Sequence, residues 1–192
     1  MMTAEFEKLK EICLSCEKCE LCKGRRNVVF GVGNPNAKVM FVGEGPGEQE
    51  DKEGEPFVGK SGQLLDKYLE LMGLDRHENV YIGNIVKCRP PFNRDPKEEE
   101  MEICIDYLRR QVKLIRPKII VCLGRIAAQK LISPDFRVTK QHGVFYEKNG
   151  IVFMGTFHPS ALLRTPSQKI IALEDFQKLR EKAKEMGIAY NE

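Results

Sequence analysis

Cysteines are the residues of this chain whose type and spacing most directly suggest chemistry. Four recur every third residue near the N-terminus, two flank a Pro-Pro segment, and one lies in an apolar run: Cys13, Cys16, Cys19, Cys22, Cys88, Cys104 and Cys122. The chain begins without a basic and apolar leader, so we expect a reducing, cytoplasmic location. Thiols in such a compartment bind metals or do redox chemistry more often than they form disulfides.

The spacing predicts a metal site but leaves its ligand set open. Thiolates suit either zinc or an iron–sulfur cluster. The four N-terminal cysteines could bind the metal alone, or two of them could join Cys88 and Cys104. The second set would tie the N-terminal arm, residues 1–27, to the body of the domain. Cys122 is expected to be a small core residue.

The elements that must position these residues alternate between strands and helices. This alternation predicts an α/β fold with a mainly parallel sheet. In such a sheet the functional loops gather at the carboxyl ends of the strands, here after residues 43, 86 and 155. Strands are predicted at 28–30, 38–42, 80–86, 118–123 and 151–154, a loop at 44–61, and helices at 5–23 (running into the Cys-rich turn), 63–72, 97–115, 125–132 and 168–186.

Composition limits the classes of protein that fit. The chain has 192 residues, of which 42% are hydrophobic and 31% charged, as expected of one globular domain spanning residues 1–192. No apolar run reaches the ~20 residues of a membrane helix, so we expect no membrane partner. A net charge of +3 does not by itself indicate nucleic acid. The small, self-contained chain is expected to be a monomer.

A phosphate-loop pattern at residues 54–61 is predicted to be coincidental. The segment GEPFVGKS matches G-x4-G-K-[ST]. A phosphate loop must directly follow a buried strand, yet the preceding segment GEQEDKE is acidic and would repel phosphate. Pro56 also removes one backbone N–H donor. A phosphohydrolase remains a minor alternative, and Lys60 would be the residue to test it.

Four segments together resemble the family 4, iron–sulfur uracil-DNA glycosylases: residues 28–66, 81–96 (YIGNIVKCRPPFNRDP), 118–124 (KIIVCLG) and 157–164 (FHPSALLR). The similarity extends in unbroken order over roughly residues 13 to 180. It implies a three-layer α/β/α sandwich around a mainly parallel central sheet of about four strands. It also implies a 4Fe–4S cluster and release of uracil from single- or double-stranded DNA during base excision repair.

The resemblance also implies a ligand set. Counting back from the VVFG segment, the first C-x2-C pair of the family falls on Cys16 and Cys19. The remaining two ligands fall on Cys88 and Cys104. Cys13 and Cys22 are then additional, and either could substitute for a ligand or be structural.

Three residues are expected to hold an extruded uracil. Phe57 offers a flat face for the base, and Asn84 an amide for its N3–H and O4. His158 is expected to donate a hydrogen bond to O2, where negative charge develops as the bond breaks. His77 and His142 are expected to be solvated. A non-catalytic iron–sulfur DNA-binding module, which would release no uracil, is the alternative.

The group that acts on water is less defined. The best-known glycosylase branch has an Asp at the position of Gly45, whose backbone is here expected to close on the base. Glu44 and Glu48 are the nearby carboxylates expected to orient water or stabilise the cationic sugar. Glu48 is also expected to exclude thymine at C5, because Gly47 has no side chain to fill that space.

The segment after His158 resembles the family's loop that enters the minor groove of DNA. Either Leu162 or Leu163 is expected to fill the gap left by the extruded nucleotide. Arg164 is expected to contact a phosphate.

Overall fold

A twisted central sheet organises the chain, as seen in a computed structural model that describes residues 3–188. The order across the sheet is β1-β3-β2-β4-β6-β5. The strands of the described residues are β1 (Val32–Gly33), β2 (Val39–Gly43), β3 (Val80–Asn84), β4 (Ile119–Leu123), β5 (Phe145–Lys148) and β6 (Ile151–Thr156).

Four parallel strands form the centre of this sheet, in the order β3-β2-β4-β6. They correspond to the four longer strands predicted from the sequence. The two outer strands, β1 and β5, pair antiparallel with β3 and β6. The sheet is therefore mainly parallel, as predicted, with two short antiparallel edges in addition.

Helices cover both faces of the sheet. They are α1 (Ala4–Leu14), α2 (Glu48–Glu53), α3 (Lys60–Leu71), α4 (Glu98–Ile115), α5 (Arg125–Leu131), α6 (Val138–Gln141), α7 (Pro159–Arg164) and α8 (Lys169–Glu185). Short 3-10 turns lie at Glu20–Lys23, Pro91–Asn93 and Pro166–Gln168.

Alternation along the strands divides the buried side chains into two cores. On β2, Met40 and Val42 pack with α1, α4 and α5, whereas Val39 and Phe41 pack with α3, α7 and α8. Successive side chains of a strand point to opposite faces, so each central strand contributes to both cores. The predicted three-layer α/β/α sandwich is confirmed.

Two local predictions were wrong. Residues 28–30 are buried but form no strand, and Val29 N–H bonds the Lys87 carbonyl oxygen at 2.7 Å outside any ladder. The predicted loop 44–61 contains α2, whose start is capped where Glu50 accepts a hydrogen bond from Gly47 N–H at 3.1 Å. The α2 sequence EQEDKE has no apolar periodicity, so the pattern could not reveal this helix.

The strand order fixes where a ligand can bind. The chain passes from β2 to β3 on one side and then crosses to β4 on the other, which places a switch point beside β2. Ligands of open α/β sheets bind at such points, outside the carboxyl ends of the strands. None of the helices in residues 3–188 has the length and apolar character needed to cross a membrane.

Candidate active site

A cleft of about 570 Å³ opens at the carboxyl ends of the parallel strands. Each central strand supplies one part of its lining: Glu44 follows β2, Asn84 ends β3, Gly124 follows β4, and His158 follows β6. Phe57 completes this group from the connection between α2 and α3. The structure thus brings together the three residues that the sequence analysis assigned to the base.

Phe57 forms a flat wall of the cleft. Its ring centroid lies 5.5 Å from that of His158, with 32° between the ring planes. Gly43 permits this arrangement, because an added Cβ there would lie 2.7 Å from Phe57 Cζ and 2.5 Å from Asn84 Oδ1. The glycine that ends β2 therefore lets an aromatic ring and an amide meet at one place.

Two residues that the sequence analysis missed fix the backbone around Phe57. The buried carboxylate of Glu50 accepts hydrogen bonds from Val58 N–H at 3.0 Å and Gly59 N–H at 3.1 Å. The Arg76 guanidinium donates to the carbonyl oxygens of Pro56 at 3.0 Å and Phe57 at 2.6 Å. These bonds hold Phe57 at φ 54, a left-handed conformation that is uncommon for a bulky residue.

Asn84 carries the clearest sign of a missing ligand. Its side chain is buried with 2% exposure. Its Oδ1 atom has no hydrogen-bond partner among the described residues. Burying such an acceptor without a donor costs about 1–3 kcal/mol. A ligand with an N–H group in the cleft would satisfy it.

His158 is poised as a neutral hydrogen-bond donor. Its Nδ1 accepts from Ser160 N–H at 3.1 Å and lies 2.7 Å from Ser160 Oγ. With Nδ1 acting as acceptor, the ring proton resides on Nε2. Burial and the nearby Arg164 lower the pKa of His158 to about 4, with Glu50 opposing. The imidazole is therefore uncharged at neutral pH.

Glu44 is the half-buried carboxyl group of the cleft. Burial and the neighbouring Asp95 raise the pKa of Glu44 to about 7, with Arg125 opposing. Asp95 and Arg125 form an ion pair at 2.6 Å. Gly45, beside Glu44, packs closely on Val86, because an added Cβ would lie 2.6 Å from Val86 Cγ2. No side chain, acidic or otherwise, fits at that position without movement.

Glu48 lies in a different environment from Glu44. It is exposed at the rim of the cleft and pairs with Lys52 at 2.6 Å and with Arg89 at 3.9 Å. These partners lower the pKa of Glu48, the Lys52 hydrogen bond most of all. The Glu50 carboxylate lies against Gly47, because an added Cβ there would lie 2.8 Å from Glu50 Oε2. The expected role of Glu48 in excluding thymine stays a prediction.

The segment after His158 is the short helix α7 rather than an open loop. Leu162 is 1% exposed and packs in the core, so its expected contact with DNA is wrong. Leu163 is 39% exposed, and the exposed Arg164 lines the cleft. Of the residues named on α7, Leu163 and Arg164 are therefore the accessible candidates for DNA contact, because the turn of the helix directs the neighbouring leucines to opposite sides.

The phosphate-loop pattern has no open nest of N–H groups. The amides of Val58 and Gly59 already bond the Glu50 carboxylate. Lys60 is exposed and is not among the residues that line the cleft. A negatively charged side chain thus occupies the place where a phosphate would need to bind.

A second cavity is lined by sulfur. Its walls include six of the seven cysteines, which come from α1, the following turn, the loop after β3 and α4: Cys13, Cys16, Cys19, Cys22, Cys88 and Cys104. Within residues 3–188, no three His, Cys, Asp or Glu side chains are grouped closely enough to hold a single metal ion. The sulfur donors that line the cavity are of the kind that an iron–sulfur cluster takes, one thiolate at each iron. Cys122 is buried in β4, as predicted.

Cationic side chains surround this cavity. Arg25 Nη1 donates to the Cys16 carbonyl oxygen at 2.6 Å and lies 3.4 Å from Cys88 Sγ. Lys87 is buried, and its Nζ donates to Gln111 Oε1 at 2.7 Å. Lys87 N–H also donates to Cys104 Sγ at 3.2 Å. Anionic thiolates in this cavity would be compensated by these groups.

His142, which was expected to be solvated, instead supports the end of β6. Its Nδ1 lies 2.9 Å from Asp175 Oδ1, and its ring centroid is 5.0 Å from that of Phe157. Thr156 Oγ1 donates to the same carboxylate at 2.6 Å. Asp175, fully buried on α8, thus connects α8 to the strand that leads into His158.

Comparisons with known proteins find one family model and several relatives that match most of the chain. Residues 30–184 match the model of the uracil DNA glycosylase superfamily. The chain is 50% identical over 188 residues to a type-4 uracil-DNA glycosylase of Sulfurisphaera tokodaii, covering 93% of this chain and 84% of the relative. It is 43% identical to one of Thermotoga maritima, covering 95% and 96%. A third such relative, of Archaeoglobus fulgidus, is 47% identical, covering 88% of both chains.

Proposed function

The chain belongs to the uracil-DNA glycosylase superfamily, in its type-4 branch, and we propose that it hydrolyses the N-glycosidic bond of deoxyuridine in DNA. The products are free uracil and an abasic site, as in base excision repair. The observation that carries this proposal is the convergence of Phe57, Asn84 and His158 on one cleft. The enzyme acts as a monomer on single- or double-stranded DNA.

Recognition begins with extrusion, because a base inside the duplex is out of reach. The extruded ring stacks on Phe57, which contributes about 1–3 kcal/mol. The unpartnered Oδ1 of Asn84 accepts from uracil N3–H, and Nδ2 donates to O4. Cytosine presents an acceptor at N3 and a donor at N4, so it mismatches this amide.

The chemical step needs stabilisation of the leaving uracil. As the glycosidic bond lengthens, negative charge collects at uracil O2 and positive charge on the sugar. His158 donates its Nε2 proton in a hydrogen bond toward O2, held in that tautomer by Ser160. A neutral donor in a shielded cleft stabilises the developing anion without giving up its proton.

Glu44 acts on the other product of bond cleavage. Its ionised carboxylate stabilises the cationic sugar and orients the attacking water. This assignment favours Glu44 over Glu48, whose carboxylate is exposed and paired with Lys52. Gly45 lines the cleft, and its backbone closes on the base.

Release of uracil from a uracil-containing oligonucleotide tests the proposal. The wild-type protein should release free uracil, and Asn84→Ala and His158→Ala should each be slower by about 10²–10³-fold, the usual effect of losing a transition-state donor. Lys60→Ala should retain activity, whereas a phosphohydrolase would lose it. Binding of the oligonucleotide with no release by the wild-type protein would indicate the non-catalytic binding module instead.

We further propose that the sulfur-lined cavity holds a 4Fe–4S cluster, with Cys16, Cys19, Cys88 and Cys104 as ligands. The cluster would join the N-terminal arm to the domain that contains the cleft, within one domain spanning residues 1–192. Its chemistry there is structural, since no step at the cleft requires an electron. Cys13 and Cys22 line the same cavity and are the alternatives for any one ligand.

Single Cys→Ser variants separate these ligand sets. The purified protein should show a broad visible absorption band that disappears with chelator and oxidant. We expect Cys16→Ser, Cys19→Ser, Cys88→Ser and Cys104→Ser to weaken or abolish the band, and Cys13→Ser and Cys22→Ser to preserve it. Loss of the visible band in Cys13→Ser or Cys22→Ser would assign that cysteine as a ligand.

Contacts with the DNA backbone are proposed for α7. Arg164 lies at the cleft and takes part in no ion pair between residues 3 and 188. It contacts a phosphate beside the extruded nucleotide. Leu163, exposed on the next position of α7, occupies part of the gap in the base stack.

A further inference from the structure

Phe92 is the most exposed large apolar side chain among the described residues, at 99%. It lies in the 3-10 turn Pro91–Asn93, within a segment that we call the 90–94 loop (residues 90–94). None of the residues from 3 to 188 covers the ring. A free aromatic ring in water is unfavourable, so its position needs an explanation from what lies next to it.

The 90–94 loop borders the cleft that admits the base. Pro90, Asn93 and Arg94 on either side of Phe92 line that cleft. When a nucleotide is extruded into the cleft, the DNA on both sides of it must lie over this rim. Phe92 therefore stands where the neighbouring bases of the substrate come closest.

Hydrogen bonds hold the residues on both sides of Phe92. The Arg94 guanidinium donates to both oxygens of the buried Glu100 at 2.7 and 2.9 Å. Arg89 Nε donates to Asn93 Oδ1 at 2.8 Å. Phe92 and Asn93 both have left-handed backbone conformations, at φ 54 and 55. The exposed ring is therefore carried by a backbone segment that is anchored at both ends.

We propose that Phe92 stacks on a DNA base beside the extruded nucleotide, which makes the 90–94 loop a second DNA contact opposite α7. This inference rests on the proposed function. The position of the loop on the rim of the cleft that receives the extruded nucleotide favours DNA over a protein partner. Aromatic side chains stack on any base, so the contact adds affinity without adding sequence preference. It would also help to hold the duplex open while uracil occupies the cleft.

The chain contains no Trp, so Phe92→Trp introduces a single fluorescent reporter at this position. We expect its emission to be quenched on titration with a duplex that contains a tetrahydrofuran abasic-site analogue, in parallel with binding followed by anisotropy. Leu71→Trp is the matched control, because Leu71 lies at the C-terminal end of α3 and its side chain is 63% exposed. Its emission should not change on addition of DNA. Unchanged emission of Phe92→Trp at saturating DNA would overturn the proposal.

Kinetics of Phe92→Ala provide an independent measurement. KM for a uracil-containing duplex should rise about ten-fold, within the range that stacking of one base supplies, with kcat changed little. Phe92→Trp should restore KM. An unchanged KM in Phe92→Ala would count against the stacking contact while leaving the glycosylase function intact. If the wild-type protein released no uracil, the proposed function would fail, yet the fluorescence titration would still report whether Phe92 contacts DNA.

Discussion

At the scale of single residues, Asn84 shows a conflict between stability and function. Its amide oxygen is buried and has no partner among the described residues, which destabilises the free protein. In the proposed function, uracil N3–H supplies the donor that this oxygen lacks. Removing the amide should therefore affect folding and activity in opposite directions.

Asn84→Leu, which keeps the branching at Cγ and replaces the amide by two methyl groups, tests this conflict. We expect the midpoint of thermal unfolding to stay the same or rise, while uracil release falls by at least about 10²-fold. Asn27→Leu is the matched control, because the Asn27 amide donates to two carbonyl oxygens, of Asp51 at 2.8 Å and Lys52 at 3.0 Å. That variant should lose stability and keep activity. A marked loss of stability in Asn84→Leu would argue against the conflict.

Glu44 should determine the acid limb of the pH profile. Its pKa is raised to about 7, so the carboxylate form that stabilises the sugar is lost as pH falls through that value. Asp95→Asn removes the repelling charge and frees Arg125, so the limb should move to lower pH. Arg125→Gln removes the opposing cation, so it should move to higher pH. Shifts of kcat/KM in the same direction in both variants would contradict this assignment.

The same carboxyl group gives a stability test. A carboxyl pKa raised by folding contributes stability that is present below its ordinary value and is lost as pH rises through the folded value. For Glu44 that window extends from about 4.5 to about 7. Glu44→Gln should therefore gain stability relative to the wild-type protein as pH increases across this window, measured by denaturant unfolding. A difference in unfolding free energy between the two proteins that stays constant with pH would contradict the raised pKa of Glu44.

At the scale of elements, α2 holds in place the connection to α3, which contains Phe57. Glu50, on α2, bonds the amides of Gly47, Val58 and Gly59, so one carboxylate holds both ends of the segment. A hydrogen bond to a charged group contributes about 1.5–3 kcal/mol. The aromatic wall of the cleft is therefore positioned by a residue that need not touch the base.

Glu50→Ala should lower stability by several kcal/mol, because it removes these bonds and leaves three N–H groups without the carboxylate that accepts from them. Because Phe57 loses its support, kcat/KM for uracil release should fall, with faster amide exchange at residues 57–59. Glu53→Ala, on the same helix but exposed, is the control and should behave as wild type. Unaltered exchange in Glu50→Ala would show that other contacts hold the loop.

The elements that the sequence predicted well are those with long apolar patterns. The runs that form β2, β3, β4 and β6 are buried along their length, so their hydrophobicity is visible in the sequence. The edge strand β5 is half-exposed, with the burial of Phe145 and Tyr146 only partial, and it leaves no such run. Residues 28–30 are apolar and buried, as a strand would be, but they pair with no neighbouring strand. Their sequence therefore predicts a strand that does not form.

The site was predictable in part for a similar reason. Phe57, Asn84 and His158 were recognised from motifs and from their position after strands. Glu50, Arg76 and Asp175 were missed, because they bond backbone or side-chain groups that meet only after folding. Whether Leu162 or Leu163 faces solvent depends on the rotation of a six-residue helix, which its short sequence does not determine.

At the scale of the whole molecule, the sulfur-lined cavity joins segments far apart in sequence. Cys16 and Cys19 follow α1, whereas Cys88 and Cys104 belong to the loop after β3 and to α4. Metal bound only by the folded chain adds its binding free energy to folding. The proposed cluster should therefore stabilise the entire domain, including the rim that carries Phe92.

Removal of the cluster by chelator and oxidant should lower the thermal midpoint by about 10 °C or more, since each kcal/mol corresponds to a few degrees in a chain of this size. The double variant Cys16→Ser/Cys19→Ser, given the same treatment, should show no further decrease. Differential scanning calorimetry would measure both. An unchanged midpoint after complete loss of the visible band would mean that the cluster does not support the fold.

The spatial order of the central strands has a consequence for refolding. The cleft is lined by Glu44 after β2, Asn84 at the end of β3 and His158 after β6, so its parts are separated by more than half of the chain. Contacts between such distant segments form late, because the loops that join them must close first. Catalysis should reappear after dilution from denaturant only when β6 docks beside β4, well after the helices have formed. The rate at which activity returns therefore measures the rate at which the sheet is completed.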